Sequence, residues 1–360
     1  MSVEFHLPSH YIRGANVARQ LVEYCQRLGP RTMVIGGHKA LQALEEHIGV
    51  IESTRYHWFG GECSVTQIER LKAHAREQQA QVIVAVGGGK AMDTGKAVAD
   101  ELQLPIITIP TIVATCAALT PLSVRYLDSG HFLDIYHLSK APDVVLVDTT
   151  LLAHSPLRWL AAGLGDTLAK WYEYRSLKHS ETNLIGHQQL TAFNSRLCYD
   201  LIERFGAKAC QALEQGHSSE ALEQVCDAII LNAGMTATMA SGVHSSAAHA
   251  LYNGFTVDDE VREFGHGLLV GYGNLVLLAL EGRSDEQLLD AIRLAQACYV
   301  PISLAQIKAN WQAEQLQAVF DMAVATPDMH QLPFSVSCEQ LAEACQRVDA
   351  LSECVAGESR

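Results

Sequence analysis

No stretch of this sequence approaches the roughly 18 charge-free apolar residues of a membrane-crossing helix, and residues 1–10 lack a basic-then-apolar leader pattern. A soluble, unexported, cytoplasmic protein is expected. The ten cysteines include no C-x-x-C pair, which excludes a structural zinc knot and a disulfide framework and leaves free thiols as the expectation. Lysine and arginine form no run, and 26 of them against 40 acidic residues give a formal charge of −14. Such a chain has no basic face for a polyanion, so neither nucleic acid nor a membrane is expected as a partner. Two familiar glycine fingerprints are also missing. A G-x-G-x-x-G pattern begun at Gly87 and Gly89 would need its third glycine where Met92 stands. A phosphate loop fails because five residues separate Gly89 from Gly95 and Ala97 follows Lys96.

What is present is a strand pattern at 82–86, then Gly87, Gly88 and Gly89, then a helical pattern over 90–100. Glycines between a strand and a helix N-terminus let an anion approach unpaired amides at the positive end of the helix dipole. A phosphate or pyrophosphate is the natural occupant; a tight turn without a ligand is the plainer alternative. Around this stretch, strands are read at 31–36, 54–59, 105–109 and 144–147, and helices at 15–28, 38–48 and 65–79. The alternation predicts a parallel sheet covered on both faces.

At 360 residues, two domains are expected: an α/β domain over 1–153 and a mainly helical domain over 154–360. The change follows residue 150, where His154-Ser155-Pro156 reads as a serine cap with proline at the first helical position. Residues 110–121 form a long loop of small and polar residues.

Three segments of the second half carry metal-ligand chemistry: Asp166 with Lys170 at the start of a helix, His249 among small residues, and His266 between Gly265 and Gly267. One carboxylate and two imidazoles are the donor set of a catalytic zinc or ferrous site. A helix cap would account for Asp166 alone, and each histidine singly reads as a satisfied polar residue. A phosphate or carboxylate ligand in so acidic a chain needs local positive groups, for which Lys90, Lys96, Arg125 and Lys170 are candidates.

Gly-Gly-Gly-x-x-x-Asp-x-x-Lys at 87–96, Pro110-Thr111-Ile112, Gly165-Asp166, Ala248-His249-Ala250 with Asn253-Gly254, and His266-Gly267 together resemble the glycerol dehydrogenase branch of the iron-type alcohol dehydrogenases. The resemblance implies a dehydroquinate synthase-like plan: an N-terminal parallel-sheet nucleotide-binding domain followed by an all-α one. It implies Asp166, His249 and His266 as ligands of a divalent metal, zinc before iron. It also implies an NADP or NAD site. Gly87, Gly88 and Gly89 would hold the pyrophosphate, with Lys90 beside them; Asp93 and the loop from Thr111 to Thr115 would line the dinucleotide; Thr120, Leu122 and Tyr126 would lie by the nicotinamide. Gly37, His38 and Lys39 stand where NAD-preferring relatives place an acidic residue, which favours accommodation of a 2′-phosphate. A homo-oligomer acting on a small molecule is expected.

Within that branch, residues 110–126 and 165–173 more closely resemble a hydroxycarboxylate dehydrogenase. Cys116 replaces an aspartate that glycerol dehydrogenases use, and reads as a pocket wall. Lys170 could anchor a carboxylate as a point charge, against a pair with Glu173 or a solvated face. The expected reaction is hydride transfer between NAD(P)H and a small 2-oxo or 2-hydroxy acid, with a polyol dehydrogenase as the alternative. Tyr252 and His244 are near in sequence, without an assigned role. A dehydroquinate synthase-like lyase and a non-catalytic dinucleotide sensor are more distant readings.

Overall fold

The computed structural model describes residues 4–51, 55–177, 186–240 and 245–358. The strands are β1 (His10–Gly14), β2 (Thr32–Gly36), β3 (Arg55–Trp58), β4 (Val82–Gly87), β5 (Ile106–Pro110), β6 (Leu122–Tyr126), β7 (Phe132–His137) and β8 (Val144–Asp148). Helices in this half are α1 (Leu21–Leu28), α2 (His38–Ile48), α3 (Val65–Glu77), α4 (Gly89–Glu101) and α5 (Thr149–Leu152). Beyond them come α6 (Leu157–Ser176), α7 (His187–Glu214), α8 (Glu220–Cys226), α9 (Ala233–Met239), α10 (Ala247–Phe255), α11 (Asp259–Arg262) and α12 (His266–Leu280). The chain closes with α13 (Asp285–Ala297), α14 (Leu304–Ile307), α15 (Ala313–Ala325) and α16 (Cys338–Glu358).

Two compact units result, one of residues 1–156 with 212–238, the other of 157–211 with 239–360. A boundary at 153/154 would assign the whole second half to one domain, whereas 212–238 packs within the first unit. Polar contacts on the edge strand β1 explain this. The Tyr11 hydroxyl donates to Asp227 at 2.9 Å, and Arg13 donates to Asp227 at 3.0 Å and Glu223 at 2.5 Å.

In the first unit a six-stranded sheet runs in the order β1-β8-β5-β4-β2-β3, every pairing parallel. Strand alternation divides its side chains. Val34, Val84, Val86 and Ile107 pack with Leu21 and Leu44, while Met33, Ile35, Ile83 and Ala85 pack with Ile68, Leu71 and Val98. Both faces are therefore buried, which is why these strands read as continuous apolar runs. The connection from β2 leads outward to β3, and that from β4 leads the opposite way to β5. Neighbouring strands β2 and β4 thus mark the point where the winding reverses, and their carboxyl ends open a crevice there.

Three local expectations are corrected. The predicted helix over 15–28 is a 3-10 turn at Val17–Gln20 followed by α1, because Asn16 takes a left-handed conformation (φ 60°). After the loop at 110–121 the chain forms an antiparallel hairpin, β6 with β7. Ser155 does not cap α6: its hydroxyl is buried without a hydrogen-bond partner, and the helix begins at Leu157, beyond Pro156.

The second unit is helical around α12, whose residues 267–278 are buried on every side. It lies against α6 at backbone contact distance. A Cβ on Gly165 would come within 2.3 Å of the Gly267 carbonyl oxygen, and one on Gly267 within 2.0 Å of the Ala162 oxygen. No helix among the described residues is long and apolar enough to cross a membrane.

Candidate active site

Asp166 does not start a helix. It lies in the middle of the 20-residue α6, which runs straight through Gly163 and Gly165. Gly165 marks the close approach of α12, and a capping role for Asp166 is ruled out. His249 stands in the first turn of α10, and His266 is the first residue of α12, entered through Gly265 at φ 115°. One ligand atom from each of Asp166, His249 and His266 lies within 4.8 Å of the others. Both imidazole Nε2 atoms are 3.5 Å from Asp166 Oδ1, which is buried and has no hydrogen-bond partner. An orphaned buried carboxylate oxygen facing two imidazole nitrogens fits a divalent metal, and the N/O donor set suits zinc or ferrous iron.

Charge on this cluster is shared with two neighbours. Lys170 is buried, with Nζ 3.9 Å from Asp166 Oδ1. It is not on a solvated face, and Glu173 makes its close pair with His249 at 2.5 Å. Burial opposes the Asp166 charge, but Lys170 and the two histidines hold its carboxyl well below the ordinary range. Burial likewise opposes a charged His249, yet Glu173 and Asp166 push it up to about 10. Burial disfavours the Glu173 charge too, and His249 with the backbone amides of residues 246 and 249 brings its carboxyl below the usual value. Tyr252 packs edge-on against the His266 ring at 4.2 Å. His244 lies outside the described residues.

The glycine stretch sits at the winding reversal of the sheet. Gly87 ends β4 at φ 142°, Gly88 is the N-cap of α4 and Gly89 its first residue. No acidic side chain of α4 itself occupies its first turn, where a helix N-terminus favours an anion. Gly37 caps α2 from the adjoining β2, and the amide nitrogen of Gly37 lies 4.0 Å from where a Cβ of Gly87 would stand. His38 and Lys39 are exposed, and the His38 ring stacks on Trp58 at 5.4 Å. Thr111 donates its amide to the Gly87 carbonyl at 3.0 Å, and Thr115 Oγ1 lies 3.3 Å from the Cβ position of Gly89.

The other expected cofactor residues form an internal brace. Asp93 is buried, paired with Lys96 at 2.9 Å and accepting from the Val124 amide at 3.1 Å. Burial raises its carboxyl pKa, against the pull of Lys96. Lys96 in turn donates to the carbonyl of Thr120 at 3.1 Å and to that of Leu122. Asp93 and Lys96 therefore hold β6 and the loop before it, and the Lys96 ammonium is wholly buried.

Of the cations considered for an anionic ligand, each is already paired. Lys90 meets Glu62 at 2.5 Å and covers the Tyr126 ring, while Arg125 binds Asp134 through two nitrogens. Cys116 is half-buried in the loop after β5, its carbonyl accepting the Leu119 amide at 3.0 Å. Glu62 had no role in the sequence reading, and Glu173 entered it only as a possible partner of Lys170. The spacing of Glu173 from Asp166, two helical turns on one face, was the available signal.

Residues 8–149 match the family described as iron-containing alcohol dehydrogenase. A glycerol dehydrogenase of Pseudomonas putida is 35% identical over 356 residues, spanning 96% of this chain and 97% of that one. The chain belongs to the iron-containing alcohol dehydrogenase family. It is an oxidoreductase acting on CH–OH groups, in a family whose cofactors are a divalent metal and NAD(P). Hydroxycarboxylate dehydrogenase A of Escherichia coli K12 is 32% identical, over 89% of this chain and 90% of that one. The crystal structure of a probable glycerol dehydrogenase from Sinorhizobium meliloti superposes with a TM-score of 0.85 at 32% identity, over 98% of this chain and 100% of that one. The parallel-sheet domain followed by helices, expected from the sequence, is the fold observed.

Proposed function

We propose that the protein is a metal-dependent, NAD(P)-linked dehydrogenase of a small polyol of the glycerol type. The reading is carried by the convergence of Asp166, His249 and His266 around an unpartnered buried oxygen, in a chain resembling glycerol dehydrogenases along nearly its whole length. In this reading those three residues hold the metal, zinc first. When bound, the metal supplies Lewis-acid polarisation of the substrate oxygen, and the nicotinamide exchanges hydride. Gly87, Gly88 and Gly89, with the first turn of α4, seat the pyrophosphate through backbone dipoles. Gly37, His38 and Lys39 receive the adenosine end, where the lack of a carboxylate admits NADP as well as NAD. Thr111 and Thr115 border the dinucleotide; Thr120, Leu122 and Tyr126, braced by Asp93 and Lys96, form its nicotinamide side. The assembly is a homo-oligomer.

A second reading, a 2-oxo or 2-hydroxy acid as substrate, is favoured by one observation, the buried Lys170 beside Asp166, together with the resemblance by which Cys116 would replace an aspartate of glycerol dehydrogenases. Initial rates on metal-assayed protein with both cofactors separate the two. The polyol reading expects the highest kcat/KM on glycerol or 1,2-propanediol. Faster turnover of 2-oxobutyrate or 2-oxoglutarate would overturn it in favour of the acid. In that event Lys170→Ala should raise KM for 2-oxo acids roughly tenfold more than for an uncharged ketone, the weight of one buried charge contact.

A further inference from the structure

Glu173 lies two turns beyond Asp166 on α6, with its side chain fully buried. Three N–H donors converge on it, all from the start of α10. Oε1 accepts the backbone amide of Ser246 at 2.7 Å and that of His249 at 3.0 Å. Oε2 meets Nδ1 of the His249 ring at 2.5 Å. The Ser246 side chain makes no capping bond of its own, so the cap of α10 is a carboxylate delivered from another helix.

We propose that Glu173 is the positioning residue of the metal centre: it fixes the rotation and tautomer of His249 so that Nε2 faces Asp166 and His266. This rests on the metal-site reading above. Because all three neighbours are donors, both oxygens of residue 173 must accept, and only a carboxylate has an acceptor at each. An amide of the same shape would turn its NH2 either onto two backbone N–H groups or onto Nδ1. The second arrangement leaves Nδ1 without its hydrogen and places that hydrogen on Nε2, the atom needed for the metal. Such partners of metal-bound histidines are worth about 10–100-fold in metal affinity. By supplying the cap of α10 and the anchor of His249 together, one side chain ties the ligand's ring to the helix that carries it.

The test is Glu173→Gln, with Zn²⁺ affinity of the apo-protein measured by competition with a chromophoric chelator. Alongside it run the unfolding midpoint in excess chelator and NADH affinity by fluorescence. We expect Zn²⁺ to bind about 10–100-fold more weakly with NADH affinity unchanged. Zn²⁺ affinity within twofold of the unmodified protein would overturn the proposal and leave the proposed function standing. Should the variant fail to fold, ¹⁵N-imidazole spectra of the unmodified Zn²⁺-loaded protein decide. A His249 ring protonated at Nδ1 and metal-bound at Nε2 supports the proposal, and metal on Nδ1 refutes it. If the unmodified protein takes up no divalent ion, both this inference and the metal-site reading fall, and His266→Ala would then leave activity intact.

Discussion

The proposed glycine cradle of the first unit and the proposed ligand triad of the second solve opposite problems. At the cradle, residues adjacent in sequence make the site, and the recognising groups are backbone amides and dipoles. At the triad, side chains from α6, α10 and α12 meet, and His249 is held in turn by Glu173. Sites of the first kind are visible in a sequence as a contiguous word. Sites of the second kind exist only after helices have packed. The cradle tolerates an acidic protein because it needs no free cation; among the cations considered, Lys90, Lys96, Arg125 and Lys170 are all spoken for.

The largest break in this comparison is His266→Ala. Activity should fall by about a thousandfold or more, since several kcal/mol of charge stabilisation vanish with the metal. NADH affinity should stay within about twofold, one separation the comparison demands. Bound metal measured by elemental assay, beside a cofactor titration, reads both. A normal metal content in this variant would refute His266 as a ligand.

Lys96→Met attacks the first unit from beneath. It leaves Asp93 buried without its cation, at about 3–5 kcal/mol of stability by denaturant unfolding. A loss below about 1 kcal/mol would mean that the brace under β6 carries little.

A pH titration sharpens the contrast. In the metal-free protein His249 is pushed up to about 10, above the 6.5 of an ordinary imidazole. The His249–Glu173 pair therefore contributes its stability in full below about 6.5 and loses it as the pH rises through about 10. Metal must displace that proton, so zinc affinity should climb by up to about tenfold per unit between pH 6.5 and 8.5. Cofactor affinity over the same range should stay nearly flat, and a parallel rise would blur the distinction between the regions.

The smallest effect is Gly87→Ala. At φ 142°, with a new Cβ 3.0 Å from that of Ala91, the strain is about 1–2 kcal/mol and cofactor affinity should drop roughly tenfold. Bound metal should not change. Loss of metal instead would show that the variant had disturbed the fold.

Legibility followed the same division. The strand run at 82–86 and the three glycines could be read directly, because a buried parallel strand and a glycine turn are local facts. Asp166, His249 and His266 were assembled from a family resemblance, since nothing in their spacing says that three helices bring them together. Asp166 was read as a helix start, whereas it lies within α6, where the missing side chain of Gly165 admits the backbone of α12. Lys96 looked like a phosphate ligand and is a buried strut, since carbonyl partners 24 and 26 residues away leave no local mark. The hairpin of β6 and β7 was overlooked although apolar and polar residues alternate along it. Glu173 was noticed only as a possible mate for Lys170, and its true partner lies on another helix.

The contact between α6 and α12 reaches further than packing. Asp166 follows Gly165 directly, and His266 precedes Gly267, so the two helices touch backbone to backbone beside two of the three ligands. The span across which Asp166 and His266 can grip is thereby fixed by atoms that have no rotamers. A large ion such as calcium, which prefers six to eight oxygens at longer distances, could not obtain them by spreading the protein's jaws. In the proposed metal centre, ion choice is then a matter of bore, set at Gly165 and Gly267, before it is one of donor chemistry.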